Sequence, residues 1–220
     1  REDFLNLVES EIKRLVEHSK DGRSAIIFGA PRKDKKVIKN SVYVIESGKI
    51  VDIKDKYELP NTGVFDEQRI FTEGELEGCV KIKDINFALP ICEDIWKKTV
   101  LDKQSKSGAE IIISINASPF TLSKSFERDQ ITLSRVKETN LPLIYLNRTG
   151  GQDELIFDGS SFALNHDGNK FFCSSEFKEE VSVIDFEKKG GRWIGNGNIN
   201  ENSSEIERLY KALVLGLRDY

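Results

Sequence analysis

A chain of 220 residues with 38% hydrophobic and 32% charged side chains is long enough to enclose one large α/β core. Its net charge of -4 is spread along the sequence, and the clusters Lys33–Lys36 and Lys188–Arg192 sit beside turn-forming residues, which argues against a nucleic-acid groove. No apolar run reaches membrane-spanning length, no export signal opens the chain and three cysteines cannot all pair, so a reducing cytoplasm without membrane attachment is expected.

Phe4, Leu5, Val8, Ile12, Leu15 and Val16 share one helical face, predicting an amphipathic helix that ends near Asp21-Gly22. Ser24–Gly29 reads as a buried strand, and Ser41–Glu46 pairs with Lys49–Ile53 across Ser47-Gly48 as a hairpin. Lys56–Phe71 is loop-like. The run Phe87–Trp96 drives an apolar strand into Cys92 and then turns acidic; a helix from Ile95 to about Lys106 should follow. Next come a strand at Glu110–Asn116, a helix from about Ser123 to Thr139 and a strand at Leu143–Asn147, an alternation that predicts an α/β layer structure. Ser160–Leu164 and Lys170–Ser175 join across His166-Asp167-Gly168, and Val181–Phe186 is one more strand. Lys188–Ser204 has a linker composition, and Ser204 can cap a last helix, Glu205–Tyr220, whose apolar face has no obvious cover. The lack of any methionine, even at position 1, leads us to expect a longer parent chain.

A thiol at a strand-to-helix corner lies near unpaired backbone N–H groups that lower its pKa and can hold an oxyanion, so Cys92 is the first candidate nucleophile. The alternative, a small buried hydrophobe, describes most free cysteines. Cys79 and Cys173 form no metal-ligand spacing with it and read as structural. His18 on the opening helix and His166 at a turn tip are unconvincing partners for the thiol, and they build no zinc site. Lysine and carboxylate chemistry remains, and its densest supply is Lys56–Phe71. That segment is either a plain solvated loop or one pinned to the core by Leu59, Val64, Phe65 and Phe71 so that side chains are held for function.

Several blocks, in order, carry a more specific signal: Lys56 with Leu59-Pro60-Asn61, Gly63-Val64-Phe65-Asp66-Glu67, Arg69 and Phe71; Ile91-Cys92-Glu93-Asp94-Ile95-Trp96; Asn116-Ala117-Ser118-Pro119-Phe120; and Gly150-Gly151-Gln152-Asp153-Glu154 with Phe157-Asp158-Gly159. Together they resemble the glutaminase domain of glutamine-dependent NAD synthetases, within the nitrilase (carbon–nitrogen hydrolase) superfamily. The resemblance implies a nitrilase-like α-β-β-α sandwich over residues 1–187, lacking its first strand, and a linker and helix over 188–220 that lead toward a synthetase domain. It implies a Glu-Lys-Cys triad. Cys92 attacks the side-chain amide of L-glutamine, Lys56 stabilises the oxyanion, and the base glutamate lies in a Tyr-Pro-Pro-Glu-Asp segment expected just ahead of residue 1.

By the same resemblance Glu67 is the supporting glutamate that positions the lysine; a surface carboxylate paired with Arg69 is its plain alternative. Thr62, Glu93, Ser118 and Lys124 fall at glutamine-binding positions, Lys124 as a partner for the α-carboxylate. Thr62 stands where the family commonly has tyrosine, and Thr149 departs from an apolar preference. The glutaminase half needs no cofactor, ATP and magnesium belong to the synthetase half, and a homo-oligomer is the family's habit. Two other readings stay open: a free-standing amidase of the same superfamily, and a non-catalytic remnant.

Overall fold

A computed structural model describes residues 2–201 and 203–220. The chain forms two compact units, Arg1–Gly108 and Ala109–Tyr220.

In the first unit, helix α1 (Glu2–His18) packs on an antiparallel meander of β1 (Ile26–Asp34), β2 (Val37–Glu46) and β3 (Lys49–Asp55), with β2 central. The helical stripe expected from the sequence is the buried one. Val8, Ile12, Leu15 and Val16 pack with Tyr43, Ile45, Ile26, Phe28 and Ile53. β1 runs five residues beyond the expected strand, because Pro31, Arg32 and Lys33 continue the ladder opposite Asn40, Lys39 and Ile38. The β2–β3 hairpin turns at Ser47-Gly48, as its sequence requires, both residues having positive φ. After the Lys56–Phe71 loop comes a hairpin of β4 (Val80–Ile82) and β5 (Ile85–Ala88) that the sequence did not reveal.

β5 stops at Ala88, two residues before Pro90, which has no N–H to offer a ladder. Cys92–Ile95 is a single 3₁₀ turn, and the α-helix α2 begins only at Thr99 and runs to Lys106. The expected helix start at Ile95 is therefore corrected: the cysteine opens a tight turn, with the helix one further turn away.

The second unit centres on a sheet in the order β6 (Ile111–Asn116), β7 (Leu143–Asn147), β10 (Phe162–Leu164), β11 (Lys170–Cys173). Helix α3 (Lys124–Thr139) connects the parallel pair β6 and β7, and the other two pairings are antiparallel. Between β7 and β10 lies a further unforeseen hairpin, β8 (Thr149–Gln152) with β9 (Leu155–Asp158). The expected strand Val181–Phe186 is displaced to β12 (Asp185–Lys189), and Val181 and Val183 are exposed. Part of the expected linker is strand β13 (Arg192–Asn196), which pairs with β12 across Gly190-Gly191, both at positive φ.

Ser204 caps α4 (Glu205–Asp219), its hydroxyl accepting the Glu207 N–H at 3.3 Å. One side of α4 packs on its own unit, Ala212 and Leu215 against Phe177, Phe120 and Ile156 and Arg208 paired with Glu176 at 2.7 Å, while Ile206, Tyr210, Leu213 and Leu217 are exposed.

Gly195 is the tightest point of this unit. A Cβ there would lie 2.1 Å from the Phe171 ring, and Asn165 hydrogen-bonds both its N–H and its carbonyl. Gly195→Ala should cost about 1–3 kcal/mol by overpacking. Chemical denaturation checks this; an unchanged midpoint would show that Phe171 yields freely.

Candidate active site

Lys56 follows β3 directly, and its backbone is tied on both sides: its N–H donates to the Asn40 carbonyl at 2.7 Å and its carbonyl accepts from Gly74 at 2.8 Å. The side chain is 1% exposed, and its Nζ donates to Glu67 Oε1 at 2.6 Å. A buried ammonium persists only when paired and hydrogen-bonded, and Glu67 supplies that partner. Glu67 is fixed in turn by Asn40, whose amide donates to Oε2 at 3.3 Å, and by its own N–H on the Pro60 carbonyl at 3.1 Å. Arg69 pairs with Asp66, so Glu67 is not the surface partner of Arg69. The loop is thus pinned by hydrogen bonds at Glu67 and Pro60; of the apolar residues expected to anchor it, Val64 is 56% exposed.

Cys92 has φ of 47°, in the left-handed region that a non-glycine residue enters at a cost of roughly 1–2 kcal/mol. Such a conformation persists only where its surroundings over-determine it, and here Asp94 does so. Its Oδ2 accepts the Ile91 N–H at 3.0 Å, its own N–H donates to the Ile91 carbonyl at 3.1 Å, and its Oδ1 accepts the Glu58 N–H at 2.8 Å. One buried carboxylate therefore clamps the turn that holds Cys92 to the strand end that holds Lys56. Lys97 adds an exposed link, its Nζ 2.9 Å from Glu58 Oε2.

Of the other candidates, Glu93 lies half-buried in the same turn, and its carbonyl accepts from Trp96. Thr62 is exposed, its carbonyl accepting from Phe65. In the second unit Ser118 is buried: its N–H donates to Asn147 Oδ1 at 2.9 Å and its Oγ accepts from Arg128 Nε at 3.1 Å. Lys124 opens α3 and pairs with Glu127 at 2.8 Å.

Cys79 donates to the Ser107 carbonyl and Cys173 is buried, burial pushing its thiol pKa up. His18 is exposed at the end of α1, and His166 is half-buried in the β10–β11 turn. Among the described residues no group of three or more His, Cys, Asp or Glu side chains could hold a metal ion.

Sequence reasoning gave no role to Asp94, Asn40, Arg128 or Asp158. Arg128 is 1% exposed and donates twice to Asp158, as well as to the carbonyls of Ser118 and Pro119. Asp158 lay inside a quoted motif without a function, and Asp94 stood three residues after an apolar Ile91, the spacing of a carboxylate that reaches back to a turn's first N–H. For Asn40 and Arg128 the sequence holds no signal.

Burial pushes the Asp94 carboxyl up to about 6, while the N–H groups of Glu58 and Ile91, the charge on Lys56 and the N–H of Tyr57 pull it down. A carboxyl with a raised folded pKa holds its proton more tightly in the fold. Its stabilisation is full below the unfolded value of 3.8 and is lost as pH rises through about 6. Asp94→Asn does not titrate and turns a donor toward the Ile91 N–H. Denaturation of both proteins at pH 4 and pH 7 should show the wild-type advantage shrinking by roughly 2 kcal/mol at the higher pH. A difference independent of pH would contradict the assignment.

Residues 3–194 match the family model described as carbon-nitrogen hydrolase. The glutamine-dependent NAD(+) synthetase of Rhodobacter capsulatus is 36% identical over 218 residues, 99% of this chain and 39% of that protein. The solved glutamine-dependent NAD+ synthetase of Acinetobacter baumannii, in complex with ADP, superposes with a TM-score of 0.88 at 29% identity over 98% of this chain and 41% of its own. A variant of the amidase from Nesterenkonia sp. AN1, solved with acrylamide added to its active-site cysteine, shares the fold with a TM-score of 0.67 at 18% identity, covering 78% of this chain and 66% of its own. The chain thus spans about two fifths of the synthetases it matches. The mixed α/β architecture is that of the nitrilase superfamily, and the chain belongs to the carbon–nitrogen hydrolase family.

Proposed function

We propose that this chain hydrolyses the side-chain amide of L-glutamine through a covalent intermediate on Cys92 and supplies the ammonia to a synthetase domain. There, with ATP and magnesium ions, the ammonia would amidate nicotinic acid adenine dinucleotide to NAD. The observation that carries the reading is the clamp at Asp94, which joins the buried Lys56–Glu67 pair to the strained turn at Cys92.

In the proposed reaction the thiolate of Cys92 attacks the amide carbon, a C–S bond forms, and the carbonyl electron pair moves to oxygen. The fixed ammonium of Lys56 stabilises that oxyanion, and the hydrogen bond to Glu67 keeps it aimed. Collapse breaks the C–N bond, and the departing nitrogen takes the proton given up by the thiol, leaving as ammonia. Water then hydrolyses the glutamyl thioester: hydroxyl bonds to the acyl carbon, the proton returns to sulfur, and glutamate leaves. The proton carrier is, by resemblance, the glutamate expected ahead of residue 1. Lys56 and Glu67 are positioned for the charge work alone. Thr62, Glu93, Ser118 and Lys124 are proposed to bind glutamine.

The test is alkylation by the glutamine mimic 6-diazo-5-oxo-norleucine, read by intact mass and peptide mapping, with a panel of small amides assayed beside glutamine. A single label on Cys92, suppressed by glutamine and slowed about 100-fold or more by Lys56→Met, is expected. Labelling of Cys79 or Cys173 with Cys92 spared would overturn the nucleophile. Far faster turnover of another amide would overturn glutamine as substrate.

A further inference from the structure

Helix α2 buries a polar side chain on its inward face. Val100, Leu101 and Gln104 share that face at steps of three and four, and all three are buried. Gln104 is 3% exposed, and its amide oxygen Oε1 meets no protein donor among the described residues. A buried acceptor in this position is costly, and folded proteins as a rule pair such an atom with a bound water or ion.

Gln104 lines a narrow cavity of about 10 Å³, room for one water molecule and little more. Asp94, which clamps the Cys92 turn, lines the same cavity, and Val100 is one of its apolar walls. Asp94 accepts the N–H groups of Glu58, Ile91 and Tyr57, while two carboxylate oxygens offer about four acceptor sites, so one is left for a further donor. The other charged groups at the cavity are engaged elsewhere or open to solvent: Lys54 pairs with Asp52 at 3.2 Å and Glu77 at 2.9 Å, Asp55 pairs with Arg32 at 2.6 Å, and Glu75 is exposed. Two acceptors thus face a space that suits one small donor. Among the described residues no group of three or more His, Cys, Asp or Glu side chains could hold a metal ion, which points to water.

We infer that one water molecule binds in this cavity, donating one hydrogen bond to Gln104 Oε1 and one to the Asp94 carboxylate, and that Gln104 is through it a positioning residue for the Cys92 turn. The bridge ties α2 to the two stretches of chain that Asp94 already joins. It also adds a donor to the ionised carboxyl, which burial disfavours, and so acts in the same sense as Lys56 and the backbone N–H groups. A Gln104 amide turned by half a rotation is served equally, since water accepts as well as donates. The water site is independent of the glutaminase reading; only its consequence for catalysis rests on Cys92 as the nucleophile.

A high-resolution crystal structure of the chain should show a single peak of solvent density within about 3 Å of both Gln104 and Asp94. The second readout is the titration of the Asp94 carboxyl, followed by NMR of its labelled carbon. Gln104→Met keeps the bulk and removes the acceptor, and Val100→Ile fills the cavity from its apolar wall. Each should raise the Asp94 midpoint by about one pH unit, with the circular dichroism spectrum retained. The inflection that Asp94 gives the pH profile of Cys92 alkylation by iodoacetamide should move with it. Density that places another protein donor on Gln104, or a metal ion in the cavity, would overturn the water site. A midpoint unmoved in both variants would overturn the link to Asp94, and a moved midpoint with an unmoved Cys92 profile would overturn the positioning role. None of these readouts uses glutamine, so they hold whether or not the glutaminase reading does.

Discussion

The carboxylate of Asp94 is the constraint on which the first unit's chemistry depends. It spends both oxygens on backbone N–H groups from two separate stretches of chain, Glu58 after β3 and Ile91 before the cysteine. Burial alone would disfavour such a charge, and its pKa is raised accordingly. The N–H donors and Lys56 offset that cost enough to keep the group useful as a tie. Without it, the Glu58 and Ile91 N–H groups would lose their acceptor, and the turn would lose its tie to the end of β3. The position of the turn thus traces to one buried carboxyl group two residues beyond the candidate nucleophile.

The second unit uses the same device on a larger scale. Arg128 and Asp158 are each 1% exposed; Nη1 of Arg128 donates to both carboxylate oxygens at 2.9 and 3.0 Å, and Nε and Nη2 fix Ser118 and Pro119. Asn147 closes the network on Asp158, Ser118 and the Gly159 carbonyl. A buried ion pair is weak grounds for stability, because desolvation consumes much of its attraction. Its clearer effect is geometric: loops that follow two different strands, β6 and β9, are held by one planar cation. Ser118 is therefore a position that the core dictates.

Much of this was legible in the residues, and the failures have physical reasons. Periodicity and apolar runs found α1, β2, β3, β6, α3 and β7, elements of five to seventeen residues with an apolar face to bury. It missed the hairpins β4–β5 and β8–β9, whose strands of three or four residues carry too little pattern, and Thr149-Gly150-Gly151-Gln152 has almost no apolar character. Lys188–Ser204 looked like a linker because Gly190-Gly191 and its charged neighbours are also what a tight solvent-facing hairpin needs. The corner at Cys92 was visible from the apolar run, but Pro90 ends the strand early and the helix starts late. In the site, Cys92 stood out from the corner itself, whereas Lys56 and Glu67 were singled out by the series of blocks that resembles one family. Asn40 and Arg128 act through contacts distant in sequence, of which a single chain gives no local sign, and the same holds for the reach of Asp94 to Glu58, though not for its bond to Ile91.

The central claim is that Cys92 carries the acyl group of glutamine. Rapid acid quench during turnover of glutamine, followed by intact-mass measurement and peptide mapping, observes this directly, since a thioester survives acid. The account expects a transient population heavier by one glutamyl group, located on the peptide containing Cys92, sensitive to hydroxylamine and lost in Cys92→Ala together with ammonia release. Glutamine hydrolysis undiminished in Cys92→Ala, or an acyl group mapped to another residue, would contradict it.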